Sequence, residues 1–224
     1  MMQPSSNAPQ RICGMSLERC LEKIERFHGF KAPGLVLGMF LVDRGRRRIG
    51  AGVEFDAIVE TRHCLPDAVQ LFTPCTIGNG WMKILDWDQF ALSFYDRRSR
   101  KGWRIWLDLE KIKAAPDLHH WFMRTIPKSQ LPLEALLPVI LRAGASVLSE
   151  RPIFVTRHYQ RNKKNRIVIC PKCGETFGAE QDDVCHSCRG NGYYRPGGDS
   201  INKAVADAPS LRFQTDGTAV RRIP

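Results

Sequence analysis

The chain has no apolar run long enough to cross a bilayer. Its longest, Gly34 to Val42, ends in Asp43 and Arg44, at about half the ~18 residues a spanning helix needs. A membrane-spanning class is therefore not expected, and this run reads as a core helix. Residues 1–14 are polar and lack the apolar h-region of an export signal, so the cytoplasm is the expected location. No segment recurs at a fixed period, which argues against solenoids and repeat arrays. Acidic residues are in short supply, 23 against 34 Lys and Arg, leaving a formal charge of +11. The surplus divides about evenly between residues 1–150 and 151–224. Its two dense runs, Arg44-Gly-Arg-Arg-Arg48 and Arg157 to Arg166, read first as solvated basic loops. A weak nucleic-acid contact through Arg157–Arg166 is the secondary expectation, with thin aromatic interleaving at Tyr159, Tyr193 and Tyr194.

The chain does have cysteines, and they are spaced to hold metal. Four of the eight form Cys170-Pro-Lys-Cys173-Gly and Cys185-His-Ser-Cys188-Arg-Gly, separated by eleven residues. Two C-x-x-C knuckles bring four thiolates to the corners of a tetrahedron, the geometry Zn²⁺ adopts in structural sites. Without an export signal this spacing favours metal over disulfides. A segment so short cannot bury its own core, so one zinc would supply its folding energy. Four thiolates leave no open position for water, which makes the site structural. His186, inside the second knuckle, reads as solvent-facing. Cys185 to Gly192 also fits the C-x-x-C-x-G-x-G form of DnaJ-type repeats, but those come in several copies and the first knuckle lacks the second glycine.

With 224 residues and 43% hydrophobic composition, one medium domain and a small appendage, or two small domains, can be built. Residues 1–15 read as disordered. Ser16 caps a helix whose apolar positions Leu17, Cys20, Leu21, Ile24 and Phe27 recur at helical spacing, ending near Gly29. Pro33 opens a second helix, apolar all round over Leu35 to Val42. Gly34 and Gly38, four apart, would allow another backbone to approach closely. Phe55–Glu60 reads as a strand, Pro66-Asp67 as a helix start, and Trp81–Leu85, Phe90–Tyr95 and Trp103–Leu107 as strands. The last two are joined by the basic turn Asp96–Gly102 as a hairpin. Asp117–Arg124 and Pro132–Arg142 look helical, with Pro138 expected to kink or break the second. His119 and His120, adjacent in sequence, read as surface and packing residues. Pro152–Tyr159 and Arg166–Ile169 are strand candidates. The fold expected is α+β: helices packed on a mostly antiparallel sheet over 16–150, a linker strand and four-cysteine zinc-finger module over 151–194, and a disordered tail over 195–224.

Three core segments stand out together: Phe27-His-Gly-Phe-Lys-Ala-Pro-Gly-Leu35, Glu60-Thr-Arg-His-Cys-Leu-Pro-Asp-Ala-Val-Gln70 and Leu71-Phe-Thr-Pro-Cys-Thr-Ile-Gly-Asn-Gly80. Followed by Phe90-Ala-Leu-Ser-Phe-Tyr-Asp96 and Gly102-Trp-Arg-Ile, they resemble the E-subunit family of formylmethanofuran dehydrogenase, over roughly Leu17 to Cys188. The resemblance implies an α+β core that dimerises, a His/Cys cluster able to bind metal, and a terminal treble-clef zinc finger. The family's junction usually reads Phe-His-Gly-His-x-Cys-Pro-Gly. Here His28, Gly29, Pro33 and Gly34 are kept, but Phe30 and Ala32 replace the second histidine and the cysteine. Cys64 and Cys75 match the remaining cysteines.

His28 and Cys64 then give two good ligands, with His63, Asp67 and Cys75 as recruits. A hydrolytic zinc site needs three protein ligands and a water. The substitutions would also dry the pocket, with Phe27 and Phe30 lining it. The leading expectation is an accessory protein with a degenerate core metal site, leaning to no independent catalysis. Such a chain would serve as an accessory subunit of a molybdenum or tungsten formylmethanofuran dehydrogenase-type enzyme. Two alternatives stay open: a nucleic-acid-binding zinc-finger protein, and a small metalloenzyme using His28 and Cys64, with Cys75 as the further catalytic candidate.

Overall fold

A computed structural model describes residues 11–156, 166–179 and 182–192. The expected disordered tail and all of the run Arg157–Arg166 but its last arginine lie outside the described residues. The chain divides into two compact units, Met1–Arg161 and Asn162–Pro224.

The first unit opens with helix α1, Leu17–His28, where Ser16 Oγ accepts from the Arg19 amide and Gly29 ends the helix in the left-handed region at φ 88°. Glycine fits that cap because it has no Cβ to clash there. Helix α2, Pro33–Ile49, is longer than its apolar stretch and carries the whole Arg44–Arg48 run in its last turns. The reading of that run as a loop is therefore corrected. Cations at a helix C-terminus are favoured by the macrodipole, and these side chains find partners: Arg44 and Arg48 pair with Glu150, and Arg47 with Asp43.

Strands β1 (Phe55–Val59), β2 (Met82–Ile84), β3 (Ala91–Asp96), β4 (Lys101–Leu107) and β5 (Leu148–Phe154) form one sheet in the order β2-β1-β3-β4-β5. Only the β1–β2 pair is parallel. Helix α3, Leu65–Phe72, sits in the crossover between those two strands. Strand β5 begins at Leu148 and pairs with β4 along its whole length. It thus crosses the expected boundary at 150, and its residues 151–154 belong to the core sheet.

One face of the sheet packs on α2. Register places Phe94 opposite Ala57 and Trp103, and Leu92 opposite Val59 and Ile105. Phe94, Leu92, Ile105 and Val59 are fully buried. Gly34 and Gly38 of α2 do what their spacing suggested. A Cβ on Gly34 would lie 2.9 Å from Cys64 Sγ, and one on Gly38 would lie 2.7 Å from Ala68 Cβ. Helix α3 therefore crosses α2 at a distance that larger residues would not allow.

The other face buries Ile58, Tyr95 and Val155. It also holds an ion pair: Arg104 donates from Nε and Nη2 to the two oxygens of Glu60, at 2.7 and 2.6 Å. Helices α4 (Leu109–Ile112), α5 (Pro116–Met123) and α6 (Leu133–Ala143) connect β4 to β5. Helix α6 runs through Pro138 unbroken. Pro138 and Glu134, whose carbonyl loses its donor, are both exposed, so water can satisfy that carbonyl.

Residues 11–15, expected to be disordered, are ordered as well. Ile12 and Met15 close a tight turn, and Ile12 is buried.

In the second unit, β6 (Arg166–Ile169) and β7 (Thr176–Ala179) form an antiparallel hairpin whose connection contains the first cysteine pair. A 3₁₀ turn, Ser187–Arg189, carries Cys188 of the second pair.

Candidate metal centre

The hairpin turn and the 3₁₀ turn bring the four cysteines together. The sulfurs of Cys170, Cys173, Cys185 and Cys188 all lie within 4.8 Å of one another. Cys173 Sγ and Cys185 Sγ are 3.7 Å apart. A Zn–S bond of ~2.3 Å in a tetrahedron puts neighbouring sulfurs ~3.8 Å apart, whereas a disulfide needs ~2.0 Å. The spacing thus fits four thiolates around one ion.

Local backbone geometry supports the same chemistry. Gly174, directly after the first knuckle, has φ 77°, and its amide donates to Cys170 O at 2.9 Å. Backbone N–H groups of Cys185, Cys173 and Lys172 hold the Cys170 thiol down to about 6. Crowding against the thiols of Cys185 and Cys173 pushes Cys188 up to about 12. Four sulfurs this close cannot all be anions without a cation among them. Cys170 is fully buried, while Cys173 is exposed. His186 is exposed and meets the guanidinium of Arg189.

In the core, His28 and Asp67 meet, but no metal-ligand set forms among the described residues. His28 Nδ1 lies 3.1 Å from Asp67 Oδ2. Asp67 sits in the first turn of α3, for which Cys64 is the N-cap residue, at φ 55°. Cys64 is half-buried, with its sulfur against Gly34. Cys75 is fully buried; its thiol donates to Phe55 O at 3.5 Å, and burial pushes its pKa up to about 11. His63 is exposed. Among the described residues, the four C-terminal cysteines are the only group of three or more His, Cys, Asp or Glu whose ligand atoms converge.

The expected dry lining needs correction. Phe27 and Phe30 are each 51% exposed, with the Phe30 ring tilted against His28 at 5.1 Å. They end α1 and fill the turn before α2, on the solvent side. Ala32 is buried at the N-terminus of α2.

Sequence reasoning did not find the Glu60–Arg104 pair, which Gln89 Oε1 completes at 3.0 Å from Arg104 Nη2. The two residues are 44 apart in sequence and meet only through strand register. The usable signal was a glutamate ending an apolar strand.

A family model described as "FmdE, Molybdenum formylmethanofuran dehydrogenase operon" matches residues 27–154, more than half of the chain. The chain belongs to the FmdE family. A second model, the FmdE treble clef zinc finger, matches residues 161–195 and takes in all four cysteines. The chain is also similar in structure to a tungsten formylmethanofuran dehydrogenase FmdE-like protein from Syntrophus aciditrophicus. Identity is 40% and the TM-score 0.75, covering 83% of this chain and 98% of that one. A probable S-adenosyl-L-methionine-binding protein of Archaeoglobus fulgidus is 27% identical over 84% of this chain. This FmdE-family chain spans 57% of that relative's length.

Proposed function

We propose that this chain is a zinc-containing accessory subunit without an independent catalytic centre. The FmdE core would dimerise and the treble clef would serve as an interaction platform for a molybdenum- or tungsten-dependent oxidoreductase. The observation that carries the reading is the contrast between its two sites. Four sulfurs converge in a closed, structural arrangement at the C-terminus, while the core offers His28 already paired to Asp67 and Phe30 and Ala32 in place of two ligands. The family description and the name of the Syntrophus relative support the link to a formylmethanofuran dehydrogenase.

Cys170, Cys173, Cys185 and Cys188 would hold the zinc, which supplies folding energy to the module and no bond-making chemistry. The S-adenosyl-L-methionine named for the Archaeoglobus relative is not carried over, since much of that protein lies beyond the match.

The test is purification of the full chain from its native cells under mild conditions, with metal analysis of the complex and of the chain alone. The reading expects zinc alone on the isolated chain, and molybdenum or tungsten in the complex, lost on Cys173→Ser. A chain that purifies only with itself and hydrolyses model esters or amides in a Cys64-dependent way would overturn it.

A further inference from the structure

The ordered turn at residues 11–15 is strapped down by side chains of one helix. Asp43 Oδ1 accepts from the Cys13 amide at 2.6 Å, and Arg46 Nη1 donates to Cys13 O at 3.1 Å and to Phe72 O at 3.2 Å. Arg47 donates from Nη2 to Arg11 O at 3.1 Å and from Nε to Asp43 Oδ2 at 2.8 Å. These bonds fix two guanidinium groups that would otherwise be mobile on the surface, so little of their freedom remains to be lost on binding a ligand.

Between this strap, the end of α2 and the loop 50–53 lies a cavity of about 560 Å³. That volume falls within the ~300–1,000 Å³ range of small-molecule sites. Its charged lining is Arg11, Arg46 and Arg47 against Asp43, and Asp43 is already engaged by Arg47 and the Cys13 amide. The negative pole at the end of α2, worth roughly half a charge, does not cancel the positive excess. Among the described residues Arg46 uses only Nη1, which leaves Nε and Nη2 for a ligand. The rest of the lining includes Ile49, Val53 and Phe55, an apolar surface that water solvates poorly.

We infer that this cavity binds a small molecule carrying an oxyanion on an apolar body. Arg46 takes the oxyanion, and Val53 and Phe55 take the body. Its lining contains none of the residues read above as metal ligands, and the inference does not depend on the accessory role proposed above.

Amide NMR of the full chain, titrated separately with phenyl phosphate, inorganic phosphate and phenol, tests the inference. Phenyl phosphate should shift the amides of Gly50, Ala51 and Gly52 with millimolar affinity, and added salt should weaken it. Each half-probe should bind at least roughly tenfold more weakly, because each keeps only one of the two interactions. Val53→Trp, which fills the cavity without removing a hydrogen bond, should also weaken phenyl phosphate at least roughly tenfold. Arg46→Gln should do the same and serves if Val53→Trp fails to fold. Saturation by phenyl phosphate without movement of those amides would overturn the site. So would a folded variant that binds as the parent does, or inorganic phosphate binding as tightly as phenyl phosphate.

Discussion

Replacing Glu60 with alanine should destabilise the core unit by about 3 kcal/mol, although Glu60 is not one of the candidate metal ligands. Its carboxylate is 5% exposed and Arg104 is 17% exposed, so neither is well solvated in the folded state. Removing one partner of a buried ion pair costs ~3–5 kcal/mol, because the other is left charged and unpaired. The lower end applies here, since Gln89 Oε1 still accepts from Arg104 Nη2 and the Trp106 ring lies 5.3 Å from the guanidinium carbon. Urea unfolding followed by tryptophan fluorescence measures the core alone, because all five tryptophans lie between Trp81 and Trp121. Adding Arg104→Met to Glu60→Ala should recover about 2 kcal/mol, since the orphaned charge is then gone. A loss under about 1 kcal/mol for Glu60→Ala, or additive single and double variants, would refute the reasoning.

Gly102→Ala should lower stability by about 3 kcal/mol or abolish soluble expression, since its Cβ would overlap the Phe94 carbonyl oxygen and the β3–β4 backbones cannot separate cheaply; thermal unfolding reports it. Burial raises Cys75 from 9.0 to about 11, so between these values the unfolded chain loses a proton that the folded chain keeps. Stability should be unaffected by this thiol below pH 9 and fall as pH rises from 9 to 11, and Cys75→Ala should flatten that part of the profile in urea titrations. Phe30→His with Ala32→Cys should take the bound metal from one ion per chain to two, read by metal analysis after exhaustive dialysis. An unchanged count would show that the junction is not the determinant.

Local signals made much of this fold legible. Ser16, Gly29 and Pro33 mark helix ends through capping chemistry that depends on the nearest few residues. The β3–β4 hairpin is marked by alternation on either side of a polar turn, and the zinc module by ligand spacing alone. Sequence failed where partners are distant. Arg44–Arg48 looks like a solvated loop until Glu150, on β5, is brought beside the end of α2. Cys13 carries no sign that Asp43 and Arg46 will hold it. Pro138 is tolerated because its helix presents it to water, and Phe30 is exposed because α1 ends just before it. Both depend on which face the tertiary structure covers. In the core cluster the residue types were readable, but the pairing of His28 with Asp67 rests on where α3 packs against α1.

The central claim is that the metal chemistry of this chain is structural and confined to the treble clef. Zinc stoichiometry of the purified full chain tests it most directly, measured for the parent, Cys173→Ser and Cys64→Ala after dialysis against a mild chelator. The account predicts one zinc per chain in the parent and in Cys64→Ala. In Cys173→Ser it predicts none, with proteolysis confined to residues beyond the core unit. Two tightly held ions in the parent, one of them lost in Cys64→Ala, would contradict it and place a working metal site at His28 and Cys64.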